Sequence, residues 1–177
     1  KFDVIVGNPP YQAPKDEQTP GGSSITLWDK FVKKSLDFLN KNGYMCFVHP
    51  SKWRNIDGKL WNKMSKKQIL YLEIHNHYDG VKNFGVQTRY DWYVLQNINI
   101  YKKTEICDEN GKTNFVDLNK ISFIPNYNFD VIFKLVANKN EDVVNIIYDR
   151  SLYGTDYASR KGYLSENKNN KFKYPCI

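Results

Sequence analysis

The stretch "FDVIVGNPPYQ", residues 2–12, joins an apolar, β-branched run to a stiff polar turn. Short continuous apolar runs are typical of strands that are buried on both faces of a sheet. The turn Asn8-Pro9-Pro10-Tyr11 follows at once, and proline cannot continue a strand ladder. Open α/β sheets place their chemistry at the carboxyl ends of strands. The stretch therefore predicts a strand that ends either in a simple structural stop or in a binding site.

Helical and strand patterns then alternate along the chain, which indicates an α/β sheet. Apolar residues at steps of three and four predict a helix over residues 25–39 that stops near Gly43. Further strands are predicted over residues 44–50, 68–78 and 91–101, with a short basic helix over residues 58–67. The last two strands are expected to pair as a hairpin across a loop. Residues 13–24, rich in Pro and Gly, predict a surface loop in which Ser23 or Ser24 caps the helix.

The pattern changes beyond residue 100. Asn110-Gly111 lies between two short strand candidates and predicts a hairpin turn, and residues 127–138 predict a helix. A domain boundary is therefore expected between residues 100 and 120.

Composition favours a soluble, cytoplasmic protein. The 177 residues contain three widely spaced cysteines, which form neither a zinc spacing nor a disulfide framework. No apolar run is long enough to span a membrane, and no signal peptide is recognised. His75 and His77 share one face of a predicted strand, but no further ligand lies at metal-binding spacing, so no metal is expected. The net charge of +7 fits either a nucleic-acid partner or an ordinary lysine-rich surface.

The Asn-Pro-Pro-Tyr turn can be interpreted chemically as a binding site for an amine. Neither proline carries an N–H, so nearby carbonyls stay free to accept hydrogen bonds from a ligand. The Asn8 side-chain oxygen can accept another, and two acceptors converging on one NH2 group suit a planar, weakly nucleophilic amine. The face of Tyr11 can stack on the attached ring. The simpler alternative is that Asn favours the turn and Tyr packs at its rim.

The stretch resembles motif IV of the amino-methyltransferases, and in particular the N6-adenine-specific DNA methyltransferases of restriction–modification type. Residues 36–53 look like the next helix and strand of that family, and residues 81–97 look like its final hairpin. The resemblance implies a Rossmann-like class I methyltransferase sheet, of which residues 1–100 are the C-terminal half with a terminal β-hairpin. Residues 101–177 would be a partial α+β region that begins the target recognition region.

The resemblance also implies residue roles. Asn8 and the Pro9 carbonyl would accept hydrogen bonds from adenine N6, Pro10 would hold the loop rigid, and Tyr11 would stack on the flipped base. Phe84 would stack on the opposite face, with Tyr90 as the alternative; a hairpin-packing role for Phe84 stays open. Phosphate contacts are expected from five basic residues: Lys52, Arg54, Arg89, Arg160 and Lys161.

S-adenosylmethionine would supply the methyl group, double-stranded DNA would be the substrate, and a restriction endonuclease, fused or separate, is an expected partner. The family's glycine-containing cofactor loop should precede motif IV, and no such loop precedes residue 1. We therefore expect a fragment of a longer enzyme that is inactive alone and lacks most of the cofactor pocket. Two alternatives stay open: an RNA or protein-glutamine methyltransferase, and a non-catalytic DNA-binding fragment.

Overall fold

Strands and helices alternate along the part of the chain that the computed structural model describes, residues 1–13, 25–56, 58, 60–136 and 141. The strands are β1 (Phe2–Gly7), β2 (Leu39–Pro50), β3 (Gln68–His75), β4 (Tyr90–Gln96), β5 (Thr104–Cys107) and β6 (Thr113–Val116). The helices are α1 (Trp28–Phe38), α2 (Trp61–Met64), α3 (His77–Phe84) and α4 (Phe129–Leu135), with 3₁₀ turns at Ser51–Arg54 and Leu118–Lys120.

The six strands form one mixed sheet in the order β1-β2-β4-β3-β5-β6. β2 runs parallel to β1, and β4 is inserted antiparallel between β2 and β3. The α/β class and the antiparallel pairing of β3 with β4 are therefore confirmed. The connection between these two strands contains α3 rather than a loop alone.

β1 is a strand, as predicted, but the prediction that it is buried on both faces is wrong for the described structure. Phe2, Val4 and Val6 are 58%, 61% and 72% exposed. Among the described residues β1 pairs with β2 alone, so alternate side chains of this edge strand stay uncovered.

The predicted helix stop at Gly43 is also wrong. α1 ends at Phe38, β2 begins directly at Leu39, and Gly43 lies inside that strand. A Cβ at Gly43 would lie 2.9 Å from the carbonyl oxygen of Asp3 on β1, so the close approach of the two strands requires glycine. Leu27, rather than a serine, is the N-cap of α1, and it makes no side-chain cap; Ser23 and Ser24 lie outside the described residues.

Helix α3 lies where the pattern indicates a loop. Asn76 and Asp79 form a capping box, in which the Asn76 side chain accepts from Asp79 N at 3.1 Å and Asp79 Oδ2 accepts from Asn76 N at 3.4 Å. Gly85 ends the helix in the left-handed conformation with φ of 70°. These two signals are present in the sequence, and together they identify the helix that carries Phe84.

The sheet continues past residue 100. β5 pairs parallel with β3, and the hairpin predicted around Asn110-Gly111 is confirmed by the antiparallel pairing of β5 with β6. Helix α4 lies within the predicted residues 127–138. Lys1–Val136 form one compact unit, and the functional division after residue 100 stays a prediction. In the described part of the chain, no helix is long and apolar enough to cross a membrane.

Candidate active site

The Asn8-Pro9-Pro10-Tyr11 turn lies at the carboxyl end of β1 and is held by the residues that precede α1. The carbonyl oxygen of Tyr11 accepts from Leu27 N at 3.2 Å, and Ala13 N donates to the Ile25 carbonyl at 2.8 Å. A β-bridge between Gln12 and Thr26 lies between these two bonds. This pairing closes both ends of the predicted 13–24 loop, whose residues 14–24 lie outside the described chain.

Within the turn, Pro9 is buried, whereas Asn8 and Pro10 are exposed. Packing therefore anchors the turn through one proline and leaves the Asn8 amide at the surface. In the described part of the chain, no side chain or backbone group bonds to that amide. The Asn8 side-chain oxygen is therefore accessible as a hydrogen-bond acceptor, and its predicted role toward a target amine stays a prediction.

Tyr11 is part of an aromatic cluster with Phe84 and Tyr90. The Tyr11 and Phe84 rings meet edge to face with centroids 6.3 Å apart, and Phe84 meets Tyr90 at 4.9 Å. The Tyr11 hydroxyl is buried and has no hydrogen-bond partner in the described structure. Burial raises the pKa of Tyr11, and the nearby Tyr90 hydroxyl raises it further, so Tyr11 stays neutral near pH 7.

The two candidates for the second stacking residue differ in accessibility. Phe84, the last residue of α3, is 38% exposed. Tyr90 is 4% exposed, stacks on His75 at 4.4 Å, and its hydroxyl accepts from Asn83 Nδ2 at 2.7 Å. Tyr90 is thus occupied in the protein interior, and of the two rings Phe84 is the more accessible.

A cleft of about 900 Å³ opens beside Tyr11. Its walls come from the Tyr11 turn, the start of α1, the 3₁₀ turn after β2 and the segment after α3. The residues that line it include Tyr11, Trp28, Lys33, Lys52, Trp53 and Thr88. The sequence reading missed Trp28 and the 86–88 segment, because the first reads as a core residue and the second as an ordinary loop.

Behind the cleft residue Trp28 lies a buried group of aromatic side chains centred on His49. Its Nδ1 lies 3.1 Å from the Pro50 carbonyl oxygen and its Nε2 lies 3.0 Å from the Tyr93 hydroxyl. A carbonyl only accepts, so Nδ1 carries the proton and Nε2 accepts from Tyr93. Trp28 stacks on the imidazole at 4.7 Å. Burial lowers the pKa of His49 and raises that of Tyr93 well above its ordinary value, so both are neutral near pH 7.

The basic residues predicted to contact DNA lie in different settings. Lys52 is exposed and lines the cleft. The side chain of Arg89 is 35% exposed and is paired with Glu109. Arg160 and Lys161 lie outside the described residues.

The expectation for Arg54 is corrected by the structure. The residue is 3% exposed, and its guanidinium bonds to Asp91, to the Ile124 and Pro125 carbonyls and to Asn126. Because the guanidinium is buried and already donates to acceptors within the protein, it is not accessible to a phosphate.

In the described part of the chain, no three His, Cys, Asp or Glu side chains are grouped to hold a metal ion. His75 lies 3.0 Å from Glu73 Oε1 and 3.3 Å from Asp79 Oδ2, whereas His77 is the first residue of α3. The two histidines therefore belong to different elements and do not form a pair on one strand.

Two relatives show similarity over most of the chain. The first is an uncharacterized adenine-specific methylase of Mycoplasma pneumoniae, 28% identical in an alignment of 160 residues that covers 81% of this chain and 33% of that protein. The second is the type II restriction enzyme and methyltransferase RM.Eco57I of Escherichia coli, 25% identical over 100% of this chain and 21% of that protein. The chain thus spans a third or less of the length of these relatives.

Among solved structures, the M protein of the type I restriction enzyme EcoKI is similar at 13% identity and a TM-score of 0.44, over 61% of this chain and 25% of that one. The model of the family "Eco57I restriction-modification methylase" matches residues 1–86, which contain the Asn-Pro-Pro-Tyr turn, α1, β2, β3 and α3. Over residues 1–86 the chain is therefore similar to the Eco57I restriction-modification methylases.

Proposed function

We propose that the chain is part of a site-specific DNA methyltransferase that methylates adenine N6 after flipping the base out of the duplex. The observation that carries the proposal is the Asn8–Tyr11 turn, which ends β1 with an uncommitted amide and an aromatic ring beside an open cleft. The match of residues 1–86 to the methylase family model supports the same reaction class.

Asn8 and Pro9 are the proposed acceptors for the target amine. The Asn8 side-chain oxygen and the Pro9 carbonyl accept the two N–H bonds of adenine N6, and Pro10 keeps the turn rigid. Two acceptors on one side of the nitrogen draw it toward a tetrahedral geometry, with its lone pair directed away from both acceptors. A strong general base is not needed during the attack, because the proton leaves afterwards. This agrees with the neutral state of His49 and Tyr93, which lie buried behind the cleft residue Trp28.

Tyr11 and Phe84 are the proposed stacking residues. Their rings lie at 66° to each other, so a base that stacks on both requires one ring to turn. Phe84 is the ring with room to move, because it ends α3 next to Gly85 and is 38% exposed. Base extrusion costs a few kcal/mol, and stacking worth about 1–3 kcal/mol per base offsets part of that cost.

S-adenosylmethionine is the proposed methyl donor of the whole enzyme. In the described residues, no glycine-rich turn follows a strand in the way that a cofactor-binding loop does, so the residues present do not form that pocket. No step in this chain is therefore assigned to the cofactor. This chain supplies the amine-binding and base-stacking wall, and the pocket is assigned to other residues of the full enzyme.

Double-stranded DNA is the proposed substrate, with Lys52 and Arg89, and also Arg160 and Lys161, as the proposed phosphate contacts. Lys52 has the strongest support because it is exposed at the cleft. Residues 101–177 are proposed to begin the target recognition region, and a restriction nuclease, fused or separate, is the proposed functional partner.

The test uses the complete reading frame that contains this chain, assayed with S-adenosylmethionine on duplex DNA, duplex RNA and a glutamine-containing peptide. The proposal expects N6-methyladenine in the DNA alone. Asn8→Ala should reduce kcat by at least about a hundredfold, the range typical for losing one positioned hydrogen-bonding group. Asn62→Ala, at an exposed position of α2, is the matched control and should leave the rate unchanged. Methylation of RNA or peptide in place of DNA, or an unchanged rate in Asn8→Ala, would contradict the assignment.

A further inference from the structure

The guanidinium of Arg54 connects three separate parts of the chain in the protein interior. Its Nε donates to Asp91 Oδ2 at 2.8 Å. Its Nη1 donates to the Ile124 carbonyl at 2.7 Å, and its Nη2 donates to Asn126 Oδ1 at 2.8 Å. We call this set of four residues, Arg54, Asp91, Ile124 and Asn126, the Arg54 junction. Its charged side chains are 4% and 0% exposed, so solvent does not weaken these bonds.

The junction is directly attached to the cleft. Arg54 is the last residue of the 3₁₀ turn, and the preceding Lys52 and Trp53 both line the cleft. Trp53 Nε1 also donates to Asp91 Oδ2 at 2.8 Å, so one carboxylate oxygen orients both the indole and the guanidinium. The position of this cleft wall therefore depends on the same buried carboxylate that holds Arg54.

The other side of the junction lies in the region after residue 100. Ile124 is 3% exposed, and its N–H donates back to the Arg54 carbonyl at 3.3 Å. The Asn126 carbonyl accepts from Glu109 N at 3.2 Å, and Glu109 is also the partner of Arg89. Arg54 thus holds residues 124–126 through its backbone and through its side chain.

We infer that Arg54 is a positioning residue that sets the geometry between the base-binding cleft and the region proposed to recognise the DNA sequence. A planar guanidinium can bond a carboxylate and two further acceptors in different directions at once, whereas a lysine ammonium acts as a single point charge. The junction therefore specifies one arrangement of the two regions. The contact itself stands on geometry alone, and its consequence for target selection rests on the proposed function.

Hydrogen exchange on the 177-residue chain tests the junction without any activity assay. Two amides report on each side: Asn55 and Gly58 for the cleft wall, and Glu109 and Ile124 for the region after residue 100.

In Arg54→Lys, exchange should accelerate about tenfold on both sides, as expected when charge-assisted hydrogen bonds are lost. Asn126→Ala removes one acceptor only and should give a smaller acceleration, again on both sides; it decides the test if Arg54→Lys fails to fold. Lys66→Met, at an exposed position, is the control and should change neither side. Acceleration on one side alone, or on neither, would overturn the inference.

Methylation by the complete reading frame tests the consequence for target selection. Initial rates are measured on the preferred duplex and on duplexes with single base-pair changes. In Arg54→Lys, the kcat/KM ratio between preferred and changed duplexes should fall at least several-fold. A merely structural role would lower the active fraction equally for every duplex and leave the ratio unchanged, which would contradict the positioning role. If the wild-type enzyme methylates no duplex, the proposed function fails, and the exchange experiment still decides whether the junction couples the two regions.

Discussion

Gly80, in the middle of α3, lies so close to the carbonyl oxygen of Thr88 that a Cβ at this position would be 2.1 Å from it. A second carbonyl, that of Val86, would be 2.9 Å away. Both contacts are with backbone, so neither can be relieved by turning a side chain. The absence of a side chain at Gly80 therefore allows the 86–88 segment, which lines the cleft, to pack directly on the helix.

Gly80→Ala should displace the 86–88 segment and destabilise the chain by about 1–3 kcal/mol, the usual range for overpacking. Urea unfolding measures the loss. Gly85→Ala is the matched control: an added Cβ there meets nothing within 4 Å, and its cost comes only from the φ of 70°. That cost should be about 1–2 kcal/mol, without movement of the cleft wall. Protection of the Thr88 amide, which donates to the Val86 carbonyl, should fall in Gly80→Ala more than in Gly85→Ala. The reverse order would refute the packing role of Gly80.

Asp91→Asn should be strongly destabilising. The substitution leaves the buried Arg54 without its anionic partner, and breaking a buried pair in this way typically costs about 3–5 kcal/mol. Urea unfolding at pH 7 provides the measurement. Asp130→Asn is the control, because its partner Lys112 and Asp130 itself are largely exposed and their pairing should contribute little. Equal effects of the two substitutions would show that burial does not decide the contribution of Asp91.

Acidification should destabilise the chain through His49. Burial holds the pKa of His49 below its ordinary value of 6.5, so the unfolded chain binds a proton that the folded chain excludes. The stabilisation is fully present above pH 6.5 and is lost as the pH falls, at up to about 1.4 kcal/mol per pH unit. His49→Gln removes this titration but leaves His75 and His77 in place. Between about pH 7.5 and about pH 5.5, the urea midpoint should therefore fall less steeply with decreasing pH in the variant than in the wild type. Equal slopes in the two proteins would exclude His49 as the source of the pH dependence.

Phe84→Ala should weaken the stacked state of a flipped base. The expected loss is about 1–3 kcal/mol, and Tyr11→Ala should cause a loss of similar size. Fluorescence of 2-aminopurine at the target position of a duplex, bound to the complete enzyme, reports extrusion directly. Phe38→Ala is the control, because Phe38 is 44% exposed at the far end of α1 from the residues that line the cleft. A loss in Phe38→Ala equal to that in Phe84→Ala would remove Phe84 from the stacking role.

Lys52 and Arg54 should differ in the salt dependence of DNA binding. Lys52→Ala should reduce the slope of log Kd against log salt by about one, because one phosphate contact is lost. Arg54→Met should leave that slope unchanged, since the buried guanidinium meets no phosphate. Fluorescence anisotropy over a range of salt concentrations gives both slopes. A reduced slope in Arg54→Met would restore Arg54 as a phosphate contact.

The sequence by itself was sufficient for the features that depend on neighbours in the chain. Proline cannot extend a strand, so the end of β1 and the Asn8–Tyr11 turn could be placed from local chemistry. Alternating helix and strand periods indicated the α/β class, and Asn110-Gly111 indicated the β5–β6 hairpin. The resemblance of the same turn to methylase motif IV indicated the family whose model matches residues 1–86.

Only the tertiary structure decided the features that depend on distant parts of the chain. Arg54 reads as a surface cation in sequence, but its partners lie 37 to 72 residues away and enclose it. The exposure of alternate β1 side chains follows from which strands pair, and the apolar run alone does not encode that. Phe84 ends α3 and Tyr90 begins β4, yet the fold buries Tyr90 and leaves Phe84 partly exposed beside Tyr11. Local residue patterns specify strands, turns and helix ends, whereas burial and the choice of partner depend on how those elements pack together.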